Sequence, residues 1–256
     1  VWACQIDGSE KPEPLFYASG ATGSLQWSPD GQSLAFVSSR GDHSFVGIYQ
    51  GDDRPVQWIA SAFARDGSPS WSPDGKRIAF VRRNASGGAP DSILAPVVNP
   101  WSIWTADVAE GTVARVWQSP ISPMGAVPTT HGGTNLRWAG KDRITFVSYH
   151  DGWPHLYSVP DTGGNALLLT PGDFMVEHVS LSPDGAWLLA SANTGPDSDD
   201  IDRRHVIRVP VDRQGMEVLT PGTGIETFPT VTGNGAHLVF FSATATRPSL
   251  PAVMAW

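Results

Sequence analysis

At 256 residues, 40% apolar and only 16% charged, the chain is long enough for one closed all-β domain and apolar enough for a large core. The formal charge of −8, with no basic run longer than Arg82-Arg83 or Arg203-Arg204, excludes nucleic-acid binding through clustered cations. Cys4 stands alone, which excludes an intrachain disulfide and a Cys-based zinc site, and no apolar run of about 18 residues is present to span a membrane as a helix.

In chain order, residues 1–22 read as half of a repeat. Val1-Trp2-Ala3-Cys4-Gln5-Ile6 is an apolar strand, Asp7-Gly8-Ser9 a turn, and a second strand runs to Tyr17. A full repeat follows. A first strand, A, ends at Trp27. Ser28-Pro29-Asp30-Gly31 makes a turn, because Pro fixes φ, Asp bonds nearby backbone and Gly accepts positive φ. Strand B is Ser33–Ser38, and a hairpin of strands C and D completes the unit.

The same turn recurs after Trp71 as Ser72-Pro73-Asp74-Gly75 and after Leu181 as Ser182-Pro183-Asp184-Gly185. Weaker copies are Ala139-Gly140-Lys141-Asp142 after Trp138 and Thr232-Gly233-Asn234-Gly235 after Val231. Strand B copies are Arg77–Val81, Arg143–Ser148, Trp187–Ala192 and His237–Ser242. Four antiparallel strands per 43 to 67 residues predict a β-propeller of four-stranded blades. The blades fall at about 23–60, 66–118, 134–170 and 176–220, with a partial blade at 226–256 that includes a third strand, Pro251–Trp256. This reads as a single domain, a piece of a larger six- to eight-bladed ring. The repeat from Trp71 to Trp138 is longer by insertions at Asn84–Pro100 and Ser119–Thr134, which are rich in Gly, Pro and Ser. Trp27, Trp71 and Trp138 are expected in the core, filling one position per repeat.

The Trp-Ser-Pro-Asp-Gly blades resemble the propellers of TolB-like proteins and of the prolyl oligopeptidase family. Arg40-Gly41-Asp42-His43-Ser44-Phe45, Asp151-Gly152-Trp153-Pro154-His155-Leu156-Tyr157, Leu169-Thr170-Pro171-Gly172-Asp173-Phe174 and Asp202-Arg203-Arg204-His205 are similar to the non-catalytic propeller of bacterial dipeptidyl or acylaminoacyl peptidases. That resemblance implies a C-terminal α/β-hydrolase domain as partner, carrying a Ser-Asp-His triad. It also implies a propeller that admits short peptides and, in some members, binds their amino termini. This chain has no Gly-x-Ser-x-Gly elbow and no βαβ alternation, so no catalytic residue is expected in it. The alternative is a TolB-like scaffold that docks proteins and has no catalytic partner. A third option, a propeller enzyme with a channel metal, has no ligand cluster to support it. No cofactor and no metal are expected. The sequence is compatible with an oligomer and with either a bacterial cytoplasmic or a periplasmic or secreted location.

Antiparallel alternation puts the A–B and C–D turns on one face and the B–C and D–A loops on the other. On the loop face fall His131, His150, Trp153, Glu177, His178, Arg203, Arg204, His205, Glu226 and Arg247. Glu177 and Glu226 both precede strand A of successive blades, where a carboxylate pair would hold a peptide ammonium; salt bridges to Arg203 or Arg204 are the plainer use of them. Trp153 and His150 are the aromatic candidates for substrate contact. The run Asp197, Asp199, Asp200 and Asp202 reads as a solvated acidic loop with Asp202 paired to an Arg, rather than a Ca²⁺ site, because it lacks the Gly and terminal Glu of an EF-hand. Asn84-Ala85-Ser86 matches a glycosylation sequon.

Overall fold

A computed structural model describes residues 1–87, 94 and 98–256. The chain divides into two compact units, Val1–Leu94 with Trp104–Ala114, and Ala95–Ile103 with Arg115–Trp256.

In the first unit, β1 (Trp2–Ala3) and β2 (Glu13–Pro14) form a small antiparallel pair. A four-stranded antiparallel set follows: β3 (Ala21–Trp27), β4 (Leu34–Ser39), β5 (Ser44–Tyr49) and β6 (Gln57–Ile59). β7 (Ala64–Trp71) and β8 (Arg77–Asn84) come next, joined to β5 by a parallel pairing at Ser44 and Arg65. β9 (Trp101–Asp107) and β10 (Val113–Gln118) extend that sheet; each is divided between the two units.

The second unit carries two four-stranded antiparallel sheets in simple sequence order. They are β11 (Arg137–Ala139) to β14 (Leu167–Leu168), through β12 (Arg143–Ser148) and β13 (His155–Pro160), and β15 (Val176–Leu181) to β18 (Glu217–Val218), through β16 (Trp187–Ala192) and β17 (His205–Pro210). A three-stranded sheet, β19 (Ile225–Val231), β20 (His237–Thr244) and β21 (Arg247–Ala255), follows. These sheets are the expected blades. Strands B and C read as nearly continuous apolar runs because both faces of a blade are covered. Ile144, Phe146, Leu188, Ala190, Ile207 and Val209 are all fully buried. One core joins the β11–β14 and β15–β18 blades through Val147, Leu156, Val176, Leu188 and Ile207; a second joins the latter to Leu238 and Phe240.

The A–B turns share one hydrogen-bond pattern. Ser28 Oγ donates to Asp30 Oδ1 at 2.5 Å and accepts from the Ser33 N–H at 2.9 Å. Ser72 with Asp74 and Ser182 with Asp184 repeat it at 2.6 and 2.5 Å. Thr232 with Asn234 repeats it at 2.7 Å, so the degenerate sequence keeps the chemistry. Gly31, Gly75, Gly185 and Gly235 close these turns with φ of 70°, 70°, 68° and 69°. The remaining copy differs: Lys141 and Asp142 take φ of 56° and 54°.

A second repeat is invisible in the sequence. Ser24, Ser68, Asn135, His178 and Phe228 all sit in the left-handed region, with φ of 50°, 50°, 46°, 53° and 54°. Each stands three residues before a strand-A anchor: Trp27, Trp71, Trp138, Leu181 and Val231. In four of the five the register slips there, between Gly23 and Gln26, Gly67 and Ser70, Glu177 and Ser180, and Thr227 and Thr230. This is a β-bulge repeated blade after blade. For a residue with a Cβ the conformation costs about 1–2 kcal/mol, and bulky side chains adopt it least often.

Several expectations are corrected. Trp71 and Trp138 are buried, but Trp27 is 56% exposed. Trp71 is covered by the preceding sheet, donating its indole N–H to the Gln26 carbonyl at 3.1 Å; before β3, Val1 and Leu15, which flank the exposed β1–β2 pair, pack against Phe16, Leu34 and Phe36 instead. The first strand shrinks to Trp2–Ala3, because its partner β2 is flanked and ended by Pro12 and Pro14, which cannot donate to a ladder. The last strand begins at Arg247 rather than Pro251. The Ser119–Thr134 insertion holds a 3-10 turn, Pro123–Gly125. Most of the Asn84–Pro100 insertion lies outside the described residues, while Ser86 of the sequon receives a hydrogen bond from Arg65.

Candidate functional site

The charged residues of the loop face assemble in the second unit around the first residue of β17. The segment Gly195-Pro196-Asp197-Ser198-Asp199-Asp200 is N-cap chemistry. Asp197 accepts from the Asp199 N–H, and Asp200 reaches back to the Asp197 N–H at 2.9 Å, opening a 3-10 turn over Ser198–Asp202. The acidic loop is therefore not simply solvated. Asp200 is buried, and Gly195 leaves the room its carboxylate occupies, since a Cβ there would collide with it.

His205 is fully buried between two carboxylates. Its Nε2 lies 3.0 Å from Asp200 Oδ1, and its Nδ1 lies 3.4 Å from Glu226 Oε2. The hydrogen bond from His205 leads the interactions that hold the Asp200 carboxyl down to about 2, followed by that from the Asp197 N–H. Glu226 also accepts from Ser242 Oγ at 3.2 Å and Thr220 Oγ1 at 3.3 Å, and Arg247 donates to the same Ser242 hydroxyl at 2.9 Å. Gly224 makes space for the Glu226 carboxylate as Gly195 does for Asp200.

Arg203 binds Asp200 at 2.8 Å and Asp197 at 3.2 Å; the Asp202 expected to pair with a neighbouring Arg makes no salt bridge among the described residues. Arg204 Nε donates to Glu177 Oε2 at 2.7 Å, and the Arg204 carbonyl accepts from the Glu226 N–H at 2.7 Å. So Glu177, Glu226, Arg203 and Arg204, singled out from sequence, do come together. The acids meet arginine and histidine rather than each other. Glu226 is sealed inside this network. Glu177 is partly open, with its side chain 20% exposed.

His150 and Trp153 belong to a different cluster on the β12–β13 loop. His150 Nδ1 pairs with Ser148 Oγ at 2.9 Å, its ring lies 4.2 Å from Tyr157, and burial lowers its pKa. Trp153 is half-buried, and its backbone N–H donates to Asp151 Oδ1 at 3.4 Å. His155, the first residue of β13, pairs through Nδ1 with Asp151 at 2.6 Å, while its buried Nε2 has no partner among the described residues.

A third cluster was not legible in full. The rings of His131 and His178 lie 4.8 Å apart, His178 and Phe228 lie 4.1 Å apart, and His131 meets Phe228 edge-on at 4.8 Å. The two histidines were placed on the loop face from sequence. Phe228 was missed, because only the bulge position identifies it.

No family model matches the chain. Over 121 residues, 44% of this chain, it is 31% identical to the uncharacterized peptidase YuxL of Bacillus subtilis (strain 168). A puromycin-hydrolyzing peptidase of Mycobacterium tuberculosis superposes on 97% of the chain with a TM-score of 0.68 and 16% identity. TolB from Acinetobacter baumannii superposes on 98% with a TM-score of 0.57 and 21% identity. The likeness shows the fold: the chain is a set of β-propeller blades, similar to those of TolB and of the puromycin-hydrolyzing peptidase. The 121-residue match spans only 18% of the length of YuxL, and the superposed chain spans 38% of the puromycin-hydrolyzing peptidase and 55% of TolB.

Proposed function

We propose that this propeller admits and orients short peptides for a serine peptidase of the dipeptidyl or acylaminoacyl type, whose α/β-hydrolase domain belongs to the same parent protein. The observation that carries the reading is the 31% identity to a peptidase over 121 residues. The propeller excludes folded chains, and its loop face orients the peptide. Glu177 is the carboxylate available to a peptide ammonium, because its partner Arg204 leaves it partly exposed. Arg203 and Arg204 hold the local charge balance, with Trp153 and His150 on the same loop face as apolar and aromatic contacts. Catalysis would be acyl transfer in the hydrolase domain.

The test is turnover of chromogenic aminoacyl and dipeptidyl substrates by the full-length parent protein. Glu177→Gln should raise KM about tenfold for substrates with a free amino terminus and leave N-acetylated substrates unchanged. A parent protein with no hydrolase domain and no turnover would overturn the reading. That outcome would favour a protein-docking scaffold, the alternative to which the superposition of TolB on 98% of the chain lends support.

A further inference from the structure

Neighbouring rungs of the β7–β8 ladder treat charge in opposite ways. Asp66 stands opposite Arg82, and the two close a bidentate ion pair at 2.7 Å with the Asp66 side chain fully buried. The next rung sets Arg65 opposite Arg83. Like charges directly across a ladder destabilise it, so the sheet gains nothing from this pair. Neither guanidinium meets a carboxylate among the described residues, whereas Arg203 and Arg204 in the second unit each do.

Position and anchoring set the two apart from ordinary solvated arginines. β7 and β8 lie inside their sheet, between β5 and β9. Arg65 follows a D–A loop and Arg83 precedes a B–C loop, so both belong to the loop face. Arg65 is held along one edge by neutral oxygens. Its Nη2 donates to the Gly41 carbonyl and to Ser86 Oγ, and its Nε donates to the same hydroxyl at 3.2 Å. Ser86 is fixed in turn, its N–H donating to the Asp42 carbonyl at 2.8 Å. Both hydrogens on Arg65 Nη1 are therefore left unused among the described residues. The Asp42 carboxylate is directed to His43 Nδ1 at 2.6 Å. Burial first, and Arg65 second, lower the Arg83 pKa, so the pair is partly desolvated and close enough to repel.

We infer that Arg65 and Arg83 together bind the carboxylate of a peptide, either its C-terminal group or an Asp or Glu side chain. Planar guanidinium forks with unused N–H groups match the two oxygens of a carboxylate, and partial desolvation strengthens the bonds. A carboxylate on the pair also cancels the repulsion that the rung imposes. The carboxylate follows from the two arginines; that a peptide carries it rests on the peptidase reading.

Calorimetric titration of the full-length parent protein at low ionic strength compares acetyl-Gly-Ala-Gly with a free carboxylate, its C-terminal amide, and acetyl-Gly-Glu-Gly-amide. The acetyl group removes the ammonium assigned to Glu177, so the result does not depend on that residue. At least one carboxylate peptide should bind about tenfold more tightly than the uncharged amide, and which one does so assigns the C-terminal or the side-chain source. Arg65→Gln and Arg83→Gln should each weaken that peptide about tenfold and leave the uncharged amide unchanged, while Arg83→Lys keeps part of the preference. Tm of Arg83→Gln should stay level or rise, because a like-charge pair is relieved. Equal binding of all three peptides would overturn the inference. So would inorganic phosphate binding at the pair while no carboxylate peptide does, or Arg83→Gln lowering Tm with binding intact. Carboxylate preference without any peptide turnover would overturn the peptidase reading alone; turnover without carboxylate preference would overturn this inference alone.

Discussion

The blades β11–β14 and β15–β18 start strand C in the same way and use it differently. His155 pairs with Ser148 across β12–β13, and His205 pairs with Ala192 across β16–β17. Behind each, a threonine of the Leu-Thr-Pro-Gly segment accepts the next backbone N–H: Thr170 from Leu156 at 3.0 Å and Thr220 from Val206 at 2.8 Å. There the likeness ends. His155 has one carboxylate, Asp151, from its own loop. His205 has two, Asp200 from its own loop and Glu226 from the next blade. One frame supports a local pair in one blade and an inter-blade clamp in the other. The difference lies in what the neighbouring strand A contributes.

The comparison breaks first at His205. His205→Ala leaves two buried carboxylates without their shared partner, and Tm should fall by about 10 °C; His155→Ala should lose about half of that, read by differential scanning calorimetry. Equal losses would mean that the second carboxylate contributes nothing.

The clamp also has an acid limit. Asp200 is held at about 2, below its ordinary value of 3.8, so its contribution is complete above about pH 4 and is lost as pH falls through about 2. Tm of the native chain should therefore drop between pH 4 and pH 2 more steeply than that of Asp200→Asn. Parallel curves would remove Asp200 from the account.

Smaller effects belong outside the clamp. Ser182→Ala removes a buried hydroxyl that donates to Asp184 and accepts from the Trp187 N–H at 3.0 Å, which should cost about 1 kcal/mol in urea denaturation. Glu177→Gln, which weakens a partly exposed pair with Arg204, should change stability by less than about 1 kcal/mol. A large loss there would make Glu177 a structural residue rather than a peptide contact.

The blade repeat was legible because its turns need particular chemistry. Ser, Pro, Asp and Gly do four separate jobs at fixed positions, and even Thr232-Gly233-Asn234-Gly235 keeps the hydrogen bonds. The apolar B strands were legible because burial on both faces leaves no polar alternation to confuse them. The candidate residues Glu177, Glu226, Arg203 and Arg204 were found as loop-face charges. The pairing of Glu177 with Arg204 was among the uses expected of it; the contact of Glu226 with His205 was not, since it joins residues 21 apart in two different blades. Trp27 shows the converse: its sequence context equals that of Trp71, yet it is exposed because burial depends on the neighbouring sheet.

The sequence by itself determined the period, the four-stranded unit and the turn chemistry, all of which depend on contacts within a few residues. Tertiary structure alone decided which carboxylates became buried partners of His205 and which aromatic side chains met. It also decided that His178 and Phe228 would occupy left-handed bulges. The physical reason is that such choices depend on the adjacent blade, whose side chains are near in space and distant along the chain.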